Sequence, residues 1–79
     1  MKLKVTYYAV FREQSGLNSE EVETASSTPG ELYGDLAQRF GFKLSLGLVR
    51  AAVNGRFEPM DFALKSGDEI VFIPPVAGG

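Results

Sequence analysis

Thr28-Pro29-Gly30-Glu31-Leu32-Tyr33-Gly34-Asp35-Leu36-Ala37-Gln38-Arg39-Phe40-Gly41 decides how the rest of the chain must pack. Thr28 to Glu31 has the spacing of a capping box: the threonine hydroxyl accepts the backbone N–H three residues on, and the glutamate reaches back toward the cap. Proline at the first helical position presets φ and removes a donor that would have no partner there. Leu32, Leu36 and Phe40 then fall at four-residue steps with Tyr33 and Ala37 beside them, which makes one apolar stripe. Gly41 supplies the left-handed stop, and Phe42 is placed to pack back on the last turn. Gly34 costs about 1 kcal/mol against alanine, so it marks either close packing or simple tolerance. A single one-sided helix needs a sheet to cover.

The flanking sequence supplies that sheet. Leu3, Val5 and Tyr7 alternate with Lys2, Lys4, Thr6 and Tyr8, the two-residue period of a strand with one buried face. Tyr8 to Ser15 loses the alternation; Val10, Phe11 and Gln14 suit a short helix that Gly16 ends. Residues 21–25 alternate again and make the hairpin partner of the first strand. After the long helix, residues 43–49 are ambiguous, because Leu44, Leu46 and Leu48 alternate but Gly47 interrupts. Ala51-Ala52-Val53, Asn54-Gly55 and Arg56-Phe57 form a hairpin signal, since Asn-Gly readily takes the positive φ angles of a tight turn. Lys65-Ser66-Gly67-Asp68 is a further turn, Glu69 to Ile73 the last strand, and Pro74-Pro75 ends it by removing two ladder donors. The expected class is α+β: a mixed sheet of four to five strands with one main helix across it.

Composition narrows the functions. Seventy-nine residues make one small domain, expected as a globular part over 1–73 and an extended, flexible tail over 74–79. There is no histidine and no cysteine, which removes the usual triad base, a thiol nucleophile and the common zinc sites, so no metal is expected. Eight basic residues are scattered against ten acidic ones, without the concentrated basic footprint that nucleic acid requires. Glu20, Glu21 and Glu23 read as one solvated strand face. No apolar run approaches the roughly 20 residues of a membrane span. The opening residues read as a strand and not a signal peptide, and the lack of cysteine fits a reducing cytosol, so the expected setting is cytoplasmic.

Two features point outward. In the last strand Ile70 and Phe72 face one side while Val71 and Ile73 face the other. One helix covers one face; the second is either open for a partner or closed by residues 43–49. Beyond it runs Pro74-Pro75-Val76-Ala77-Gly78-Gly79, which at ~3.1 Å per residue reaches roughly 18 Å. The glycines have no side chains and fit a channel too narrow for other residues, leaving a carboxylate free to attack the α-phosphate of ATP in a partner's active site. A sulfur donor then displaces AMP and leaves a thiocarboxylate or thioester. The alternative is an ordinary frayed end.

These residues carry a likeness. Tyr8-Ala9-Val10-Phe11-Arg12-Glu13 with Gly16, then Ala52-Val53-Asn54, then Gly67-Asp68-Glu69-Ile70, then Pro74 to Gly79 resemble, in order, the small subunits of molybdopterin synthase, the MoaD-type sulfur carriers of the MoaD/ThiS superfamily. The resemblance implies a β-grasp, ubiquitin-like fold. It implies that a ubiquitin-activating-type enzyme adenylates Gly79 with ATP, that a sulfurtransferase donor converts it to a thiocarboxylate, and that no cofactor stays bound. It further implies that the tail, with Gly78 fitted to a channel, enters the large synthase subunit in a heterotetramer of two small and two large subunits. There it would deliver sulfur to a pyranopterin precursor, the chain itself turning nothing over. Phe57, Val71, Ile73, Pro74, Pro75, Val76 and Ala77 would form the partner contacts; isoleucine at position 73 departs from the phenylalanine common in the family. Three other readings stay open: a sulfur carrier for thiamine, thiolated tRNA or cysteine; a ubiquitin-like modifier conjugated through Gly79; and a non-covalent interaction module.

Overall fold

The computed structural model describes residues 1–75; residues 76–79 lie outside the described residues. The alternation at the start forms β1 (Lys2–Thr6), which pairs antiparallel with β2 (Ser19–Glu23). Between them α1 (Ala9–Ser15) ends at Gly16, whose φ of 75° is the left-handed stop expected there. α2 (Pro29–Phe40) follows, then a 3-10 turn (Leu46–Leu48), β3 (Arg50–Val53), β4 (Arg56–Glu58) and β5 (Glu69–Ile73). The five strands form one sheet in the order β2-β1-β5-β3-β4. β1 and β5 are parallel and the other pairs antiparallel, so the sheet is mixed, with α2 across one face: the β-grasp arrangement.

The cap of α2 forms as its sequence dictates, with one difference. Thr28 Oγ1 accepts the Glu31 N–H at 3.2 Å. The Glu31 carboxylate reaches one residue beyond the cap, accepting the Ser27 N–H at 2.8 Å and the Ser27 hydroxyl at 3.0 Å. Those two bonds hold its carboxyl below the usual glutamate range. Leu32, Tyr33 and Leu36 are buried. Gly34 faces open space and is simple tolerance, whereas a Cβ on Gly30 would sit 3.1 Å from the Met60 carbonyl oxygen.

β1, β3 and β5 supply the floor under the helix through Leu3, Val5, Ala51, Val53, Ile70 and Phe72. The register aligns them, with Val5 beside Ile70, Ile70 opposite Val53 and Phe72 opposite Ala51. Phe11, Tyr33, Phe42 and Phe72 join them edge to face or tilted, with Phe11 and Phe42 centroids 5.0 Å apart. Burying each such side chain is worth about 1.5–3 kcal/mol.

The second strand is shifted from its expected place, running over 19–23 and not 21–25. The register places Glu20 opposite Val5 and Val22 opposite Leu3, on the helix side of the sheet. Thr24 still donates its N–H to the Met1 carbonyl, but its hydroxyl accepts the Ser26 N–H and turns the chain toward α2. The acidic residues therefore do not share one solvated face. Glu21 and Glu23 are exposed, while Glu20 accepts the Tyr7 hydroxyl at 2.6 Å and pairs with Arg39 at 3.0 Å.

Candidate functional site

Antiparallel pairing through the Asn54-Gly55 turn, with φ of 53° and 84°, places Phe57 directly opposite Ala52. Ala52 pairs with Val71, and Val71 with Thr6. One row thus crosses the sheet away from α2: Thr6, Val71, Ala52, Phe57. Arg50 pairs with Ile73 one step closer to the end of β5. Val71 and Ile73 are half-buried, and Phe57 is 70% exposed, a large apolar side chain that the domain itself does not cover. Charge gathers at the opposite end of the face, where Lys4 and Glu69 lie 3.4 Å apart.

Residues 43–49 do not close this face. The Leu44 carbonyl accepts the Tyr33 hydroxyl at 2.6 Å, which attaches the segment to α2 on the other side. Burial pushes the Tyr33 hydroxyl up from the ordinary tyrosine range. Leu48 is left exposed at the rim of a groove of about 790 Å³ that also takes in Arg50, Phe57, Met60, Ile73 and Pro74. Of the two readings of the second face, the open one matches the geometry.

The last described residues, Pro74 and Pro75, sit at this groove. Pro74 is half-buried and Pro75 exposed. Together they form a ridge, with the larger groove on one side and a second of about 340 Å³ on the other. Phe57, Val71, Ile73, Pro74 and Pro75 are thus brought together, while Val76, Ala77, Gly78 and Gly79 lie outside the described residues. Sequence reading missed Thr6, Arg50, Ala52, Leu48 and Met60. Ala52 was within its reach, because a two-residue turn at Asn54-Gly55 forces position 52 opposite 57. What this surface can do chemically is bind: an exposed aromatic beside half-buried aliphatics suits a partner's apolar surface. Among the described residues no cluster of three or more His, Cys, Asp or Glu is gathered to hold a metal ion, and no helix is long and apolar enough to cross a membrane.

The pattern of the ThiS family matches residues 5–79. The chain belongs to the ThiS family. This member is 35% identical over 80 residues to the molybdopterin synthase sulfur carrier subunit of Haemophilus influenzae, covering 98% of this chain and 99% of the relative. A Haloferax volcanii protein solved in solution superimposes with a TM-score of 0.81 at 30% identity, over 100% of this chain and 87% of that one. A chain from the Helicobacter pylori complex of subunits 1 and 2 of molybdopterin-converting factor superimposes with a TM-score of 0.68 at 26% identity, over the whole of both chains. The sequence resemblance and the fold expected from it agree with these likenesses.

Proposed function

We propose that the chain is the sulfur carrier subunit of a molybdopterin synthase. The observation that carries this reading is likeness to a named sulfur carrier subunit along 98% of the chain, together with a family match that runs to Gly79. The scaffold holds an apolar face open for the large subunit, with Phe57 exposed at its edge and Ile73 at the end of the last strand. Gly79 supplies the chemistry. Its carboxylate attacks the α-phosphate of ATP inside a separate adenylating enzyme, releasing pyrophosphate, and sulfur from a donor displaces AMP to leave a thiocarboxylate. Within the large subunit the thiocarboxylate sulfur attacks a carbon of a pyranopterin precursor and displaces the oxygen bonded there; water then cleaves the acyl–sulfur bond, leaving the sulfur on the precursor and returning Gly79 to a carboxylate. Two small and two large subunits make the assembly, which works in the cytoplasm. The small subunit binds and delivers, and catalysis belongs to its partners.

Deleting Gly79 tests this reading. The shortened chain is expected to fold and to bind the large subunit as the full chain does, yet to support no molybdopterin formation in a reconstituted synthase. Product formed at the full-chain rate would show that Gly79 is not the reactive end. Recovery of the chain joined to lysines of other proteins, with no thiocarboxylate formed, would instead support a protein modifier.

A further inference from the structure

The ridge of Pro74 and Pro75 is walled on the helix side by two segments whose positions are unusually constrained. Parallel pairing of Thr6 with Val71 carries the end of β1 alongside the end of β5, so Ala9 and Val10 reach the level of the prolines. Ala9 gets there in the left-handed region, with φ of 51°. A residue with a Cβ pays on the order of 1–3 kcal/mol for such a backbone, which persists only where its surroundings over-determine it. The surroundings do so: the Tyr7 N–H donates to the Asn18 carbonyl at 2.8 Å, and the Tyr8 carbonyl accepts the Phe11 N–H at 3.0 Å. Opposite stands Leu44, whose carbonyl is held by the buried Tyr33 hydroxyl. Val10, Leu44 and the two prolines line the same apolar groove, with Lys43 at its edge.

Resting on the carrier reading, we propose that Tyr33 is a positioning residue for sulfur delivery. Through Leu44 it fixes the wall beside Pro74-Pro75 and so the heading of the two prolines. It does not touch the reacting atoms. The prolines have φ preset by their rings, so their heading depends on the anchor at Ile73 and on this wall. A misdirected acyl end would still dock by the open sheet face but would reach the reacting geometry less often, which lowers turnover and leaves affinity alone.

The test uses thiocarboxylated carrier, the large synthase subunit and the pyranopterin precursor, with the carrier as the varied substrate. Tyr33→Phe keeps the aromatic packing and removes only the bond to Leu44. Tyr33→Phe is expected to lower kcat about three- to tenfold with KM for the carrier within about twofold of wild type. Gly34→Ala, on open space away from the groove, serves as the control at full kcat. Wild-type kcat for Tyr33→Phe, or a rise in KM alone, overturns the positioning role. Absence of product from the loaded wild-type chain as well overturns the carrier reading on which it rests, and the wild-type lane distinguishes the two failures.

Discussion

Phe57→Ala isolates the open face from the rest of the molecule. Phe57 is 70% exposed on a three-residue edge strand. A phenylalanine offers about 200 Å² of surface, so seven-tenths of it, about 140 Å², remains for a partner to cover. At about 25 cal/mol per Å² this is about 3.5 kcal/mol of association free energy, an upper bound because partner side chains relax into the space. The three-tenths already covered amounts to about 1.5 kcal/mol of folding free energy, also an upper bound against an extended unfolded chain. Titration calorimetry with the large synthase subunit should therefore show the dissociation constant raised between about tenfold and about 300-fold. Urea unfolding of the free variant should show a loss no greater than about 1.5 kcal/mol. A correctly folded Phe57→Ala chain that binds within about twofold of wild type would refute the assignment of this face.

Tyr7→Phe removes the 2.6 Å bond to Glu20 and leaves that carboxylate with Arg39 alone; a lower urea midpoint worth about 1–2 kcal/mol is expected. Burial, reinforced by the bond to Glu20, pushes the Tyr7 hydroxyl far above the ordinary tyrosine range. The folded state therefore holds that proton more firmly than the unfolded chain, and stability should fall as pH rises beyond about 10, more gently in Tyr7→Phe. Gly34→Ala should raise stability by about 1 kcal/mol, because its Cβ meets nothing within 4 Å inside the helix. Gly30→Ala should lack that gain, since its Cβ would press on the Met60 carbonyl that accepts the Gly30 N–H at 2.9 Å. Thr28→Ala should cost about 1 kcal/mol through the lost cap, readable as helix signal in thermal melts.

The long helix, the hairpin turn and the two faces of β5 were legible because each rests on local rules. A cap and a four-residue stripe leave one element available, and Asn-Gly leaves one turn and hence one register. Glu20 was misread because alternation says which residues share a face but not which long-range partner waits there. Only the fold brings the Tyr7 hydroxyl and the Arg39 guanidinium to that carboxylate. Residues 43–49 were undecidable for a similar reason: what fixes them is a hydroxyl eleven residues away on α2, and a leucine pattern cannot show a bond to its own carbonyl. The Pro74-Pro75 ridge was visible as a stop signal, but the two grooves beside it arise from segments far apart in sequence.

The most direct measurement is fragmentation mass spectrometry of the full chain after incubation with an adenylating enzyme, ATP and a sulfur donor. The account requires one oxygen exchanged for sulfur, localised to Gly79. A chain left at its original mass beside a control carrier that the same enzyme loads, or sulfur found on any other residue, would contradict it.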